Sequence, residues 1–224
     1  MTLISACGSV LSNLVVRRIG VFRWWSIFWG RSMFLGVGIR VKYHRKVDLD
    51  PSRTYVFASN HQNALDIPIA AIAVPCPFGY VAKAALERVP VLGLAIRFSP
   101  SVIVDQSHPR RSLASMQRAG RQIRQGLSVI IFPEGKRSYQ RDLLPFKKGA
   151  FLLAMEAGVP IVPVTIVDAY RLFHEKRRLA RPGIIHVVVG EPISLEGMTR
   201  RDIPELMDRL AREIQSELDN TPRE

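Results

Sequence analysis

The chain has 224 residues, a length that fits one α/β domain or one domain with a small appendage. Hydrophobic residues make up 47% of it and charged residues 23%, a balance that excludes a largely disordered chain. Its 32 Lys and Arg against 19 Asp and Glu give a net charge of +13, which favours anionic partners: nucleic acid, anionic lipid headgroups or phosphorylated substrates. Cys7 and Cys76 have no spacing that predicts a disulfide framework or a zinc site, and we expect no metal.

The N-terminal segment, residues 1–36, is predicted to form helices at a membrane surface. Residues 1–16 are uncharged and mostly apolar, and a second apolar stretch follows after two arginines. Neither stretch reaches the ~18–20 apolar residues of a membrane-spanning helix. All three tryptophans lie among arginines in the second stretch, at Trp24, Trp25 and Trp29, which is typical of the headgroup boundary. We therefore predict one or two helices over residues 3–35 in one leaflet; the alternative is a helix packed on the core with its tryptophans buried.

From about Val37 onward, short apolar runs alternate with helical patterns. The runs predict strands at Val37–Tyr43, Thr54–Ala58, Gly79–Ala82, Ser101–Val104, Ser128–Phe132, Ile161–Val167 and Ile184–Val189. Helices are predicted at Pro109–Gln125, Lys148–Ala157 and Asp202–Leu218, with Gly126 and Gly158 ending the first two. This alternation predicts an α/β fold with a central, mostly parallel or mixed sheet flanked by helices, over residues 37–224.

The segment NHQNALD, residues 60–66, follows one of these strands and contains His61 and Asp66. Histidine can take and give a proton near neutral pH, and a nearby carboxylate can hold its ring in one tautomer. The two side chains meet if His61 lies in the loop and Asp66 in the first helical turn, an arrangement that Pro68 favours. The alternative for the pair taken alone is a helix cap beside an ordinary loop histidine.

The segment FPEGKRS, residues 132–138, follows another strand. Pro133, Glu134 and Gly135 predict a tight turn at a place where α/β sheets usually bind ligands. Arg137 would then have a fixed position, and guanidinium groups bind phosphate in a bidentate manner. The alternative is a solvated basic turn. Together the two segments predict one site, with a base in one loop and an anion-binding group in the other.

Two further segments extend the pattern: Lys83 with the apolar residues after it, and the proline-containing strand at residues 159–164. In this order the four segments resemble the blocks of the glycerolipid acyltransferases, the lysophosphatidate acyltransferase (PlsC-type) family. His61 and Asp66 match its HxxxxD block, and residues 132–138 match its FPEGTRS block. The resemblance covers residues 50–170.

The resemblance implies transfer of an acyl chain from an acyl-CoA or acyl-carrier-protein thioester to the free hydroxyl of a lysophospholipid. His61 would be the general base and Asp66 would orient it. The acceptor would be bound by Lys83, Glu134, Gly135, Lys136, Arg137 and Ser138. A thioester is already activated, so no resident cofactor is expected. The implied location is the cytoplasmic face of the cell membrane, peripheral or monotopic, with anionic membrane lipids as further partners.

Two positions depart from the family pattern. Gln106 stands where an arginine that contacts the acceptor phosphate is usual, and Lys136 stands where a small residue is usual. One phosphate ligand is thus lost and one cation gained. The expected acceptor is lysophosphatidate; the alternative is a lysolipid with a different headgroup.

Two other classes of function fit the sequence less well. A nucleic-acid-binding module is disfavoured because the aromatic residues cluster with apolar residues at the N-terminus rather than at stacking positions. The sequence also has no helix-turn-helix, zinc-finger or RNA-binding signature, so we expect no nucleic acid partner. A hydrolase using the same His61 and Asp66 is disfavoured because the sequence has no G-x-S-x-G motif.

Overall fold

The computed structural model describes residues 19–90, 92–105, 107–177 and 179–221. The predictions for residues 3–18, for Cys7 and for Gln106 lie outside these ranges. The helices are α1 (Ile19–Val37), α2 (Asp66–Ala73), α3 (Leu92–Phe98), α4 (Pro109–Arg124), α5 (Gly149–Ala157), α6 (Ala169–Leu172) and α7 (Ile203–Asn220). The strands are β1 (Ile39–Arg45), β2 (Val56–Ser59), β3 (Phe78–Lys83), β4 (Val102–Val104), β5 (Ser128–Ile131), β6 (Ile161–Val167), β7 (Phe173–His174), β8 (Leu179–Ala180) and β9 (Gly183–Val189).

A seven-stranded sheet forms the centre of the molecule, in the order β1-β9-β6-β2-β5-β3-β4. Strand β2 is parallel to both β5 and β6, and β3 is parallel to β5, whereas β6 and β9 are antiparallel. All seven residues of β6 and all four of β2 are buried, because helices cover both faces of the sheet. The predicted α/β fold with a mixed, mostly parallel sheet is therefore confirmed.

The core has two halves, one on each face of the sheet. On one face, Phe34 of α1 and Ile69 of α2 pack against the central strands. On the other, Ile123 of α4, Phe151 of α5 and Leu210 of α7 fill the interior. The amphipathic pattern predicted for α4 and α7 thus corresponds to helices that bury one side against the sheet.

Helix α1 packs on α2 through one side and exposes the other. The backbone of the two helices approaches closely at Gly30, where an added Cβ would lie 3.1 Å from the carbonyl oxygen of Pro68. Arg23 donates to the carbonyl of Val74 over 3.1 Å, and Phe34 is buried. Within the described ranges, no helix is long and apolar enough to cross a membrane.

The outward side of α1 carries large apolar groups. The exposed fractions are 60% for Trp24, 47% for Phe28 and 83% for Leu35, while Trp25 and Trp29 are half-buried. The structure therefore lies between the two interpretations of the sequence, because the helix packs on the core but does not bury its tryptophans. We call the set Trp24, Phe28 and Leu35 the outer face of α1.

Candidate active site

The carboxyl ends of four parallel strands meet at one edge of the sheet and supply the site. His61 follows β2, Lys83 ends β3, and the turn at Glu134 follows β5. Strand β6 ends beside them and continues into residues 169–173. Parallel neighbours place their carboxyl ends together, so the two motifs found in the sequence lie in adjacent loops.

His61 and Asp66 form a hydrogen-bonded pair. The Nδ1 atom of His61 lies 2.7 Å from Oδ2 of Asp66, and this oxygen also accepts from the backbone N–H groups of Gln62 and Asn63 over 2.6 and 2.9 Å. Asp66 opens α2, as the position of Pro68 predicted. With Nδ1 donating to the carboxylate, Nε2 is the ring nitrogen that can accept a proton.

The Asp66 side chain is completely buried, whereas 13% of the His61 side chain is exposed. Burial raises the pKa of Asp66 above its ordinary value, and the hydrogen bonds from His61 and the two backbone groups act in the opposite direction. A buried carboxylate is best stabilised when its partner is a cation. The carboxylate therefore orients the ring and lies beside any positive charge that develops on it.

Two further contacts fix the His61 ring and backbone. The ring stacks on Phe132 with 4.1 Å between ring centroids and an interplanar angle of 20°. The backbone N–H of His61 donates to Oε1 of Glu134 over 2.7 Å, while Oε2 of Glu134 accepts from the backbone N–H of Leu144 over 3.0 Å. Both carboxylate oxygens of this buried residue are thus used to join three segments of chain, and its burial raises the pKa of Glu134.

The two loops are also joined through their backbones. The N–H groups of Ser138 and Tyr139 donate to the carbonyls of His61 and Gln62 over 2.8 and 3.0 Å. Gly135 makes the turn itself, with a φ of +70° that favours glycine. Arg137 therefore occupies a position that is fixed relative to His61.

Cationic side chains surround this turn. The ammonium group of Lys83 donates to the carbonyl of Gly135 over 2.7 Å, and Lys147 lies beside Gly135, where an added Cβ would be 3.1 Å from its Nζ. Lys136 is exposed, and Arg137 forms an ion pair with Glu175. The hydroxyl of Ser138 donates to the carbonyl of Gln140, so this group serves the local turn.

Sequence reasoning missed several residues that hold the site together. Asn63 donates to the carbonyls of Ala169 and Phe173 over 2.8 and 3.3 Å, and the side-chain oxygen of Gln62 accepts from the N–H of Tyr170 over 3.3 Å. The run of polar residues around His61 could have indicated these contacts, because buried amide side chains in a loop form hydrogen bonds with neighbouring backbone groups. Among the described residues, no three His, Cys, Asp or Glu side chains are grouped as a metal site.

Comparisons with known proteins match this architecture. A protein-family model described as an acyltransferase matches residues 40–167. The 1-acyl-sn-glycerol-3-phosphate acyltransferase alpha of Mus musculus is 35% identical over 174 residues, covering 76% of this chain and 61% of that protein. The beta protein of Homo sapiens is 33% identical over 195 residues, covering 85% of this chain and 69% of that protein. This chain thus spans less than two thirds of the length of the alpha protein.

A solved structure has the same fold. The crystal structure of the 1-acyl-sn-glycerophosphate (LPA) acyltransferase PlsC from Thermotoga maritima superposes with a TM-score of 0.78. The match covers 96% of this chain and 88% of that chain, at 22% sequence identity. At this level of identity the likeness concerns the fold.

Proposed function

We propose that this chain, which belongs to the acyltransferase family, transfers a fatty acyl group from a thioester to the free hydroxyl of 1-acyl-glycerol 3-phosphate and forms phosphatidate. The observation that carries the proposal is the His61–Asp66 pair, 2.7 Å apart, in a loop that is hydrogen-bonded to the Arg137 turn. A base and an anion-binding group are the two elements that this reaction requires from the protein.

His61 supplies the proton transfers. Its Nε2 takes the proton of the acceptor hydroxyl while that oxygen attacks the thioester carbonyl carbon, and Asp66 stabilises the imidazolium. The tetrahedral intermediate then breaks its carbon–sulfur bond, and the proton on His61 passes to the departing thiolate. An ester and a free thiol result, and the protein regains its starting state without forming a covalent intermediate.

The cations around Gly135 support a phosphate-bearing acceptor. Arg137 offers a guanidinium with several donors, and Lys83 places an ammonium group on the same turn. The relatives in mouse and human are named for 1-acyl-sn-glycerol 3-phosphate as their acceptor. We take acyl-CoA or acyl carrier protein as the donor, which enters as a co-substrate, and no resident cofactor is required.

We propose that the protein acts at a membrane surface. A lipid acceptor and a water-soluble thioester meet at the boundary between bilayer and water. The outer face of α1 exposes three large apolar side chains, and the net charge of +13 favours an anionic surface. We propose peripheral or monotopic attachment at the cytoplasmic face of the cell membrane.

The test is an acceptor panel with the full chain. Isotope-labelled acyl-CoA and acyl carrier protein are offered separately with lysophosphatidate and with lysolipids bearing glycerol, ethanolamine or choline headgroups, and the products are identified by mass spectrometry. We expect labelled phosphatidate as the main product. Label in another phospholipid alone would contradict the acceptor, and release of free fatty acid without transfer would indicate a hydrolase.

A further inference from the structure

The guanidinium of Arg137 already has an anionic partner within the protein. One carboxylate oxygen of Glu175, Oε1, forms an ion pair with Nη1 of Arg137. The other oxygen, Oε2, is buried and has no hydrogen-bond partner among the described residues. A carboxylate of the protein therefore lies where the function proposed above places the acceptor phosphate.

The fold holds Glu175 in this place. Glu175 begins a short 3₁₀ helix, Glu175–Arg177, between strands β7 and β8 of a small hairpin. Asn63 binds the carbonyls of Ala169 and Phe173 at the base of this hairpin, and Gln62 binds the N–H of Tyr170. These amides belong to the loop that carries His61, so the hairpin is attached directly to the site.

Arg137 is attached to the same loop from the opposite side. The residues that follow it, Ser138 and Tyr139, donate their backbone N–H groups to the carbonyls of His61 and Gln62. Both members of the ion pair are therefore anchored to residues 61–63, and their contact follows from the fold rather than from two freely moving surface side chains. The exposed fractions of the two side chains, 35% for Arg137 and 25% for Glu175, leave the pair reachable by a ligand from solvent.

We propose that Glu175 competes with anions for Arg137 and so weakens the binding of every phosphate-bearing ligand by a similar factor. This inference rests on the proposed function, because it requires Arg137 to bind the acceptor phosphate. A lysophospholipid brings its acyl chain as well as its phosphate, so its total binding free energy suffices to displace the carboxylate. A free phosphate ion has only its charge, so the same cost of displacing Glu175 leaves it too weakly bound to occupy Arg137 for much of the time.

A second role for Glu175 predicts the opposite result. If the carboxylate only positions Arg137, its removal leaves the guanidinium poorly oriented and raises the KM for the acceptor. If it competes, its removal frees the guanidinium and lowers the KM. The direction of the change in KM therefore separates competition from positioning.

The experiment uses the full chain and compares Glu175→Gln with Glu196→Gln, a matched variant at an exposed position outside the site. The KM for lysophosphatidate, the kcat and the inhibition constant of inorganic phosphate are measured at a fixed acyl-CoA concentration. For Glu175→Gln we expect the KM and the phosphate inhibition constant to fall about threefold to tenfold, the range for a partly exposed charge pair. The kcat should change by less than about twofold, and Glu196→Gln should match the wild type.

A double variant tests whether the effect passes through Arg137. In an Arg137→Ala background, Glu175→Gln should leave the KM unchanged, because the guanidinium for which Glu175 and the phosphate compete is absent. Glu175→Asp keeps the charge on a shorter side chain and should give an intermediate KM, which provides the test if Glu175→Gln fails to fold. A KM that rises or stays constant in Glu175→Gln, or that falls equally in the Arg137→Ala background, overturns the inference.

Failure of the underlying function has a different signature. If Arg137→Ala alone leaves the KM for lysophosphatidate unchanged, the phosphate lies elsewhere, whatever Glu175→Gln does. If the panel described above gives no acyl transfer at all, the proposed function itself is wrong.

Discussion

Two contacts hold the side chain of His61, and a third holds its backbone. Asp66 holds Nδ1, Phe132 stacks on the ring, and Glu134 holds the backbone N–H. Such preorganisation reduces the reorganisation needed when charge develops on the ring. The catalytic contribution of His61 should therefore be large relative to its contribution to stability.

Replacing His61 with alanine tests whether this side chain contributes more to catalysis than to stability. We expect His61→Ala to lower kcat by about 10²–10⁴, the range for loss of a general base, with a small change in Tm. The comparison is His108→Ala, which removes an exposed histidine from the start of α4 and should keep wild-type activity. Turnover within a few-fold of the wild type in folded His61→Ala would remove His61 from the mechanism.

Glu134 contributes in a different way, because both of its oxygens bind backbone N–H groups. Glu134→Gln retains the size of the side chain but replaces one acceptor with a donor, so one of the links to His61 and Leu144 is lost. We expect kcat to fall about tenfold as the loop loosens, with Glu196→Gln as the unaffected control. Unchanged kcat would show that the link does not position His61.

The raised pKa of Glu134 adds a dependence of stability on pH. Burial raises this pKa above the ordinary value of 4.5, so the folded state binds the proton more tightly than the unfolded state. The stabilisation from this proton is fully present below pH 4.5 and is lost as the pH rises through the raised value. The difference in unfolding free energy between wild type and Glu134→Gln should therefore be larger at acidic than at neutral pH, which urea titration at both pH values would measure. A difference in unfolding free energy that is the same at both pH values would contradict this prediction.

At the scale of elements, strand order determines which side chains meet. The apolar runs before His61 and before Pro133 predicted two buried strands, and adjacent parallel strands brought their loops together. Helix α2 was predictable only at its start, from Asp66 and Pro68, because seven of its eight residues are buried and no amphipathic period remains. Strands such as β6 were predictable to the residue, since a long β-branched run has few alternatives.

The contacts that complete the site were not predictable in the same way. Glu175 lies between strands of two residues each, which are too short to give a pattern. Glu175 pairs with Arg137 across 38 residues of sequence, and the side-chain amides of Gln62 and Asn63 hold the hairpin that carries it. A single sequence does not reveal such long-range contacts. The sequence motifs thus predicted which residues of the two loops form the site. Only the tertiary structure shows the contacts that hold these loops in place.

Strand β3 offers a prediction at this scale, because it brings Lys83 to the site. A Cβ added at Gly79 would lie 2.0 Å from the carbonyl oxygen of Pro100, which is backbone and cannot move away alone. We expect Gly79→Ala to destabilise the fold by about 1–3 kcal/mol and to lower Tm by several degrees. At Gly36 in α1, an added Cβ would meet no described atom within 4 Å beyond its chain neighbours and the backbone of its own helix, so Gly36→Ala should be neutral or slightly stabilising. Equal Tm values for the two variants, measured by calorimetry, would contradict the close approach.

The molecule as a whole combines an apolar outer face on α1 with a strong positive charge. Helix α4 alone carries five arginines and no acidic residue. Electrostatic attraction to anionic lipid is screened by salt, whereas burial of apolar side chains is not. The two contributions to the proposed membrane binding can therefore be separated experimentally.

Leu35 and Leu113 provide a matched pair for that separation, since both are exposed leucines but only Leu35 lies on the outer face of α1. We expect Leu35→Ser to weaken binding of the full chain to phosphatidylglycerol-containing vesicles about threefold to tenfold, because an apolar side chain no longer enters the interface. Leu113→Ser should bind as the wild type does, and raising the salt concentration should weaken all three proteins while keeping their order. Sedimentation of vesicles gives the partition coefficients. Equal loss in both variants would mean that α1 does not face the lipid, because the outer face would then contribute no more than an exposed leucine elsewhere.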